Sequence, residues 1–158
     1  MKNLSNLLTK LAATGLGTGY FPFAPGTFGT LIAVPLCILL KRGGVPFYFV
    51  GSVVFTLFAL GICRYAEKVF EKHDDRRIVI DEISGYLVTM TGIPPDIFYY
   101  IAGFIAFRFF DILKPFPIGI IDRKWRGGIG VMADDLAAGV YACATLWIIF
   151  WVRRFCEG

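Results

Sequence analysis

Histidine is almost absent from this 158-residue chain: His73 stands alone, within a charged stretch. One histidine in such a place gives no Ser/His/Asp triad, and it excludes phosphoryl chemistry that needs two. Cysteine is scarce as well. Cys37, Cys63, Cys143 and Cys156 form no C-x-x-C pair and no zinc spacing, and none opens a Cys-x5-Arg sequence. They read as unpaired, packed thiols. Charged residues make up only 18% of the chain, against roughly 25% in an average soluble domain. In their place, apolar residues reach 56% and the mean hydropathy is +0.65. Disorder is excluded, because it needs low hydrophobicity and high net charge. An ordinary soluble domain is disfavoured too, since a chain this short cannot bury so much apolar surface in one core. The surplus must meet lipid or a partner, which makes an integral membrane protein the leading class. The net charge of +4 does not indicate nucleic acid, because the basic residues flank apolar runs rather than lining a polar face. The length suits a single domain, 1–158.

No cleavable leader is expected at the N-terminus, where no long apolar core precedes a small-residue cleavage site. Leu4, Leu7, Leu8 and Leu11 recur at helical spacing. They predict a short amphipathic helix that either packs on the protein or lies in a membrane interface. Four apolar segments follow: 28–40, 45–63, a split segment of 83–93 and 97–107, and 136–152. Segments 45–63 and 136–152 reach the ~20 residues a spanning helix needs. The others are short. Pro94-Pro95 removes backbone donors and restricts the residue before it, so a helical hairpin is predicted there. The architecture expected is a small all-α bundle of short, partly broken membrane helices. Residues 64–77, with mixed charges, read as a solvated helical extension of the second segment.

If each segment crosses, the basic residues divide unevenly. Lys2, Lys10, Arg64, Lys68, Lys72, Arg76, Arg77, Arg108, Lys114, Arg123, Lys124 and Arg126 fall on one side. Lys41, Arg42, Arg153 and Arg154 fall on the other. The positive-inside rule makes the first side cytoplasmic. Asp81, Glu82, Asp111, Asp134 and Asp135 then share the cytoplasmic ends of apolar segments, together with the Gly- and Pro-rich stretch 15–29. Hydropathy did not require that convergence, and it predicts one site there.

The acidic pairs Asp81-Glu82 and Asp134-Asp135 each open an apolar segment. One carboxylate of each pair can cap a helix. The second repels the first, and a hard cation such as Mg2+ would offset that repulsion. Arg108, Asp111 and Lys114 stand at i, i+3 and i+6, so they lie roughly on one helix face. Pro115 is expected to end that helix and hold Lys114 extended. A cation–carboxylate–cation row of this kind suits a phosphate monoester; a structural ion pair at a helix end is the alternative. In the stretch from Thr14 to Thr30, Gly26 allows close backbone approach, and Thr27 is expected to cap a helix starting at Phe28. Backbone N–H groups at that start could receive phosphate, although a plain loop explains the stretch equally well. The remaining inventory of carboxylates, cation, Arg and Lys suits phosphoryl chemistry by activated water or by an aspartyl nucleophile.

Four blocks, in order, resemble the phosphatidylglycerophosphatase A family of bacterial membrane lipid phosphatases. They are Gly17-Thr18-Gly19 to Pro22 continuing through Pro25-Gly26-Thr27-Phe28-Gly29-Thr30; Asp81-Glu82-Ile83-Ser84-Gly85; Phe107 to Ile118; and Gly128 to Gly139. Thr30 stands where many relatives have Ser, which keeps the hydroxyl. The resemblance implies an all-α fold in a bacterial inner membrane and a Mg2+-dependent reaction. In that reaction phosphatidylglycerophosphate loses its terminal phosphate to give phosphatidylglycerol. Carried onto these positions, it implies that Asp81, Glu82, Asp134 and Asp135 hold Mg2+. Asp111 is then a further ligand, a base or a nucleophile. Arg108 and Lys114 neutralise the phosphate, and Gly26, Thr27 and Thr30 cradle it. Two other classes stay open: a small transporter or channel subunit using carboxylates for cations, and a soluble helical phosphatase with a different phosphorylated substrate. Oligomeric state is not legible.

Overall fold

The computed structural model of the protein describes residues 2–72, 75–125 and 127–157. His73 and Arg126, both weighed above, lie outside the described residues. Among those residues there are seven α-helices and no strand. They are α1 (Lys2–Ala13), α2 (Pro25–Lys41), α3 (Gly44–Phe70), α4 (Ile80–Thr89), α5 (Ile97–Leu113), α6 (Ile118–Lys124) and α7 (Gly128–Glu157), with one 3-10 turn at Thr18–Tyr20. Helices α3 and α7 are long and apolar enough to cross a membrane. Only 17% and 28% of their most apolar windows are buried, which separates them from the core helices of a soluble protein. Their outward faces carry residues such as Val50, Val54, Leu57, Ile148 and Trp151. At 17 residues, α2 and α5 are about 25 Å long at 1.5 Å per residue.

The core is built around α4. Every residue of this helix except Glu82 and Val88 is buried. At ten residues it is only about 15 Å long, half the hydrocarbon thickness of a bilayer. Its C-terminal carbonyls therefore end inside the bundle and need donors. Lys41 at the end of α2 supplies them: its Nζ donates to Met90 O (2.8 Å) and Ile93 O (2.6 Å). Tyr48 Oη donates to Leu87 O at 2.6 Å. Lys41 is thus a helix cap rather than a free loop charge. The predicted hairpin is present, with the break at residues 90–96 and Asp96 Oδ1 accepting from Phe98 N at 2.7 Å to start α5.

Small residues let α4 and α7 touch at the backbone. A Cβ on Gly139 would fall 2.4 Å from Gly85 O, and one on Gly85 would fall 2.8 Å from Asp135 O. This approach is what sets the start of α7 beside the start of α4. Gly139→Ala has no flexible side chain to displace, so the helices must separate. We expect a loss of about 1–3 kcal/mol of stability from overpacking, read as a lower unfolding temperature in detergent micelles.

In α1 the leucine stripe is exposed, with Leu4, Leu7 and Leu8 each more than half accessible, while Thr9 and Ala13 pack inward. Of the two placements open for this helix, the stripe therefore does not pack on the protein. The helical extension predicted over 64–77 is present only as far as Phe70: Glu71 closes α3 in the left-handed region (φ 52°, ψ 29°), and the described residues after it form turns. All four cysteines are free.

Candidate active site

Four helix ends meet at one end of the bundle and enclose a cavity of about 260 Å3. The first turn of α4 brings Asp81 and Glu82, the last turns of α5 bring Arg108, Asp111 and Lys114, and the start of α7 brings Val131, Asp134 and Asp135. The start of α2 closes the wall with Ala24, Pro25 and Gly26. All five acidic residues singled out in the sequence line this one space. A larger groove of about 590 Å3 runs along α3 and α7, but its walls are almost wholly apolar and hold none of these groups.

Asp81, Glu82 and Asp135 form the inner cluster. One carboxylate oxygen from each lies within 4.8 Å of the others. Asp81 and Asp135 are buried, and Glu82 Oε2 is buried with no hydrogen-bond partner. The Asp81 carboxylate accepts a hydrogen bond from Glu82 N at 3.0 Å. Burial raises the Asp81 carboxyl above its ordinary value. It raises Glu82 further, and the neighbouring Asp81 charge adds to that. Three converging buried carboxylates with an unpartnered oxygen are a donor set fitted to a hard divalent cation.

Asp134 is placed differently. Its Oδ2 accepts from Lys114 Nζ at 2.5 Å, while Oδ1 is buried without a partner. Lys114 is shared with Asp122 of α6, also at 2.5 Å. Burial works against its charge, but the hydrogen bonds it donates to both carboxylates outweigh this and hold the ammonium above its ordinary pKa. Arg108 Nη1 stands 2.6 Å from Asp111 Oδ2, and its buried Nε has no partner. A buried guanidinium N–H left open is an anion-binding donor.

Three expectations need correction. Thr27 does not cap α2: the helix begins at Pro25, and its N-cap is Ala24 in the left-handed region (φ 47°, ψ 56°). Thr27 sits within the first turn and does not line the cavity. Thr30 is fully buried and its hydroxyl donates to Gly26 O at 2.8 Å, so it fastens the turn instead of facing a ligand. Lys114 is not extended; it closes α5 in the left-handed region (φ 44°, ψ 57°), despite Pro115. Of the cradle residues, only Gly26 reaches the cavity. Its position is tight: a Cβ there would lie 2.2 Å from Glu82 Oε1 and 3.0 Å from Arg108 Nη1. Arg76 also lines the cavity. In the sequence it is one cation among several in a charged stretch, and no spacing marks it.

A helical bundle with two membrane-length helices, with Asp81, Asp134 and Asp135 buried around one acidic and cationic cavity, defines a membrane-type protein built to handle a charged ligand at its end. The chain belongs to the phosphatidylglycerophosphatase A family, whose sequence model matches residues 11–150. It is 37% identical over 142 residues to "Phosphatidylglycerophosphatase A" of Escherichia coli K12, covering 88% of this chain and 81% of that protein. The Haemophilus influenzae protein of the same name is 38% identical over 145 residues, covering 90% and 89%. A Bacteroides thetaiotaomicron relative named "Putative phosphatidylinositol-3-phosphatase" is 36% identical over 157 residues, covering 93% and 96%. No solved structure matches the chain.

Proposed function

We propose that this chain is a Mg2+-dependent phosphatidylglycerophosphatase that releases the terminal phosphate monoester of a membrane lipid. The observation that carries the reading is the cluster of Asp81, Glu82 and Asp135 within 4.8 Å, set in the same cavity as Arg108. These three carboxylates hold the cation, and Asp134 Oδ1 faces the same space as a further donor. A divalent cation there supplies positive charge against the phosphoryl oxygens. Arg108 binds a phosphate oxygen through its open Nε–H. Lys114, held charged between Asp122 and Asp134, adds a fixed positive charge near the ester. Asp111 lines the cavity outside the carboxylate cluster and orients the attacking water, taking its proton as the P–O bond to the glycerol breaks. That proton returns to the leaving glycerol oxygen. The acyl chains stay in the bilayer, so the cavity need admit only the headgroup.

The test is phosphate release from phosphatidylglycerophosphate by purified protein, with Mg2+ and with excess chelator. Equal release under both conditions overturns the cation. No release under either overturns the substrate.

The multi-pass arrangement with the cavity facing the cytoplasm of a bacterial inner membrane belongs to the same proposal, supported by the basic residues at the cavity end. It places the C-terminus outside. Cys156 is free and exposed, whereas Cys37 and Cys63 are buried. A membrane-impermeant maleimide should therefore label Cys156 in intact spheroplasts. Labelling only after lysis would reverse the orientation.

A further inference from the structure

Beside the carboxylate cavity lies a second one of about 370 Å3, lined by Gly19, Tyr20, Phe21, Lys72 and residues 75–77. Arg76 lines both, and so forms part of the wall between them. The charges of this second space do not cancel. Asp75 is consumed by Arg77, which donates from Nε to Oδ1 at 2.8 Å and from Nη2 to Oδ2 at 2.7 Å. The Arg77 guanidinium also lies 4.3 Å from the centroid of the Phe70 ring. That self-contained pair leaves Lys72 and Arg76 exposed, and neither has an ion-pair partner among the described residues. The wall is held in place by backbone contact: a Cβ on Gly19 would fall 1.9 Å from Arg77 O. At the rim, Tyr20 and Phe21 are both about half exposed. Tyr is a residue enriched at the headgroup level of membrane proteins.

The lipid proposed above carries two phosphates. Its terminal monoester is joined through one glycerol to a phosphodiester that bears the diacylglycerol. With the monoester in the carboxylate cavity, the phosphodiester lies one glycerol nearer the bilayer. The neighbouring space, with its aromatic rim and the exposed cations Lys72 and Arg76, suits it. We propose that Arg76, with Lys72, binds the phosphodiester of the substrate lipid and so selects lipids carrying both phosphates.

This rests on the phosphatase reading, and the test separates the two. Arg76→Gln and Arg76→Lys are assayed on phosphatidylglycerophosphate in mixed micelles, with phosphatidylglycerol and inorganic phosphate as competing inhibitors. Phosphatidylglycerol carries only the phosphodiester, and inorganic phosphate can occupy only the monoester position. For Arg76→Gln we expect KM and the inhibition constant of phosphatidylglycerol to rise about 10- to 100-fold, the worth of one charge-assisted hydrogen bond. Inhibition by inorganic phosphate should stay within about twofold, since Arg108 and Lys114 are untouched. Arg76→Lys should recover most of the loss. Equal weakening toward both inhibitors, or toward neither, overturns the phosphodiester site. Wild-type protein that releases no phosphate from this lipid overturns the phosphatase reading instead.

Discussion

Asp81→Asn is expected to lower phosphate release by about a thousandfold or more, equivalent to roughly 4 kcal/mol of transition-state stabilisation. The loss should come with a gain in the stability of the cation-free protein. Asp81, Glu82 and Asp135 bring three carboxylates together, and the Arg108 charge beside Glu82 offsets only part of their repulsion. Burial raises the Asp81 and Glu82 carboxyls above their ordinary values, and the Asp81 charge adds to the rise at Glu82. A carboxyl whose folded pKa is raised stabilises the fold below its unfolded value, near pH 4. That contribution is lost as the pH rises through the raised value. At neutral pH the cation-free cluster is therefore a strain on the fold, and Asn removes one of its charges. Added Mg2+ should raise the unfolding temperature of the wild type, because a ligand that binds only the folded state stabilises it by mass action. In Asp81→Asn that rise should shrink or vanish, while the starting temperature is higher. Unfolding curves in detergent with and without Mg2+ check both halves. A variant that keeps wild-type turnover, or the full Mg2+ response, removes Asp81 from the cation site.

Much of this arrangement was legible before any coordinates. Hydropathy alone separated α3 and α7 from the shorter segments, because a membrane-length run needs about 20 apolar residues and few charges. Pro94-Pro95 announced the break between α4 and α5. Counting crossings placed Asp81, Glu82, Asp111, Asp134 and Asp135 at one end, and they do line one cavity. What escaped the sequence was decided by partners rather than by spacing. Lys41, which the charge count places only on the side away from the acidic pairs, caps α4, because that helix stops short inside the bundle. Thr30 looked like a ligand but turns its hydroxyl back to Gly26 O, a local bond that Ser and Thr make readily inside helices. Ala24 and Lys114 adopt left-handed backbone that neither residue type advertises. The leucines of α1 have the period of a packed face yet point outward, and period alone cannot say what a face meets. Arg76 required knowledge of two cavities sharing one wall.

Gly26→Ala is the variant in which fold and activity should part most clearly. Gly26 lies in the first turn of α2, and its backbone is not in the left-handed region, so alanine adds no backbone strain. Alanine favours a helix over glycine by about 1 kcal/mol, and the unfolding temperature should hold or rise slightly. The added Cβ nevertheless enters the site, 2.2 Å from Glu82 Oε1 and 3.0 Å from Arg108 Nη1. Both are ends of flexible side chains, so the protein can relieve the clash by moving them. Relief costs little stability, but it carries Glu82 away from Asp81 and Asp135 and shifts the Arg108 guanidinium proposed to bind the phosphate. A displacement of about 1 Å in a reacting constellation costs on the order of a hundredfold in rate. Turnover should fall by about that factor, and the Mg2+ concentration for half-maximal activity should rise. Gly61→Ala is the control, because a Cβ at Gly61 on α3 meets nothing within 4 Å; its unfolding temperature should likewise hold or rise slightly, while its turnover should match the wild type. Full activity in Gly26→Ala would mean that Glu82 and Arg108 need not keep their places, and the cavity at the start of α2 would no longer be where the phosphate is handled.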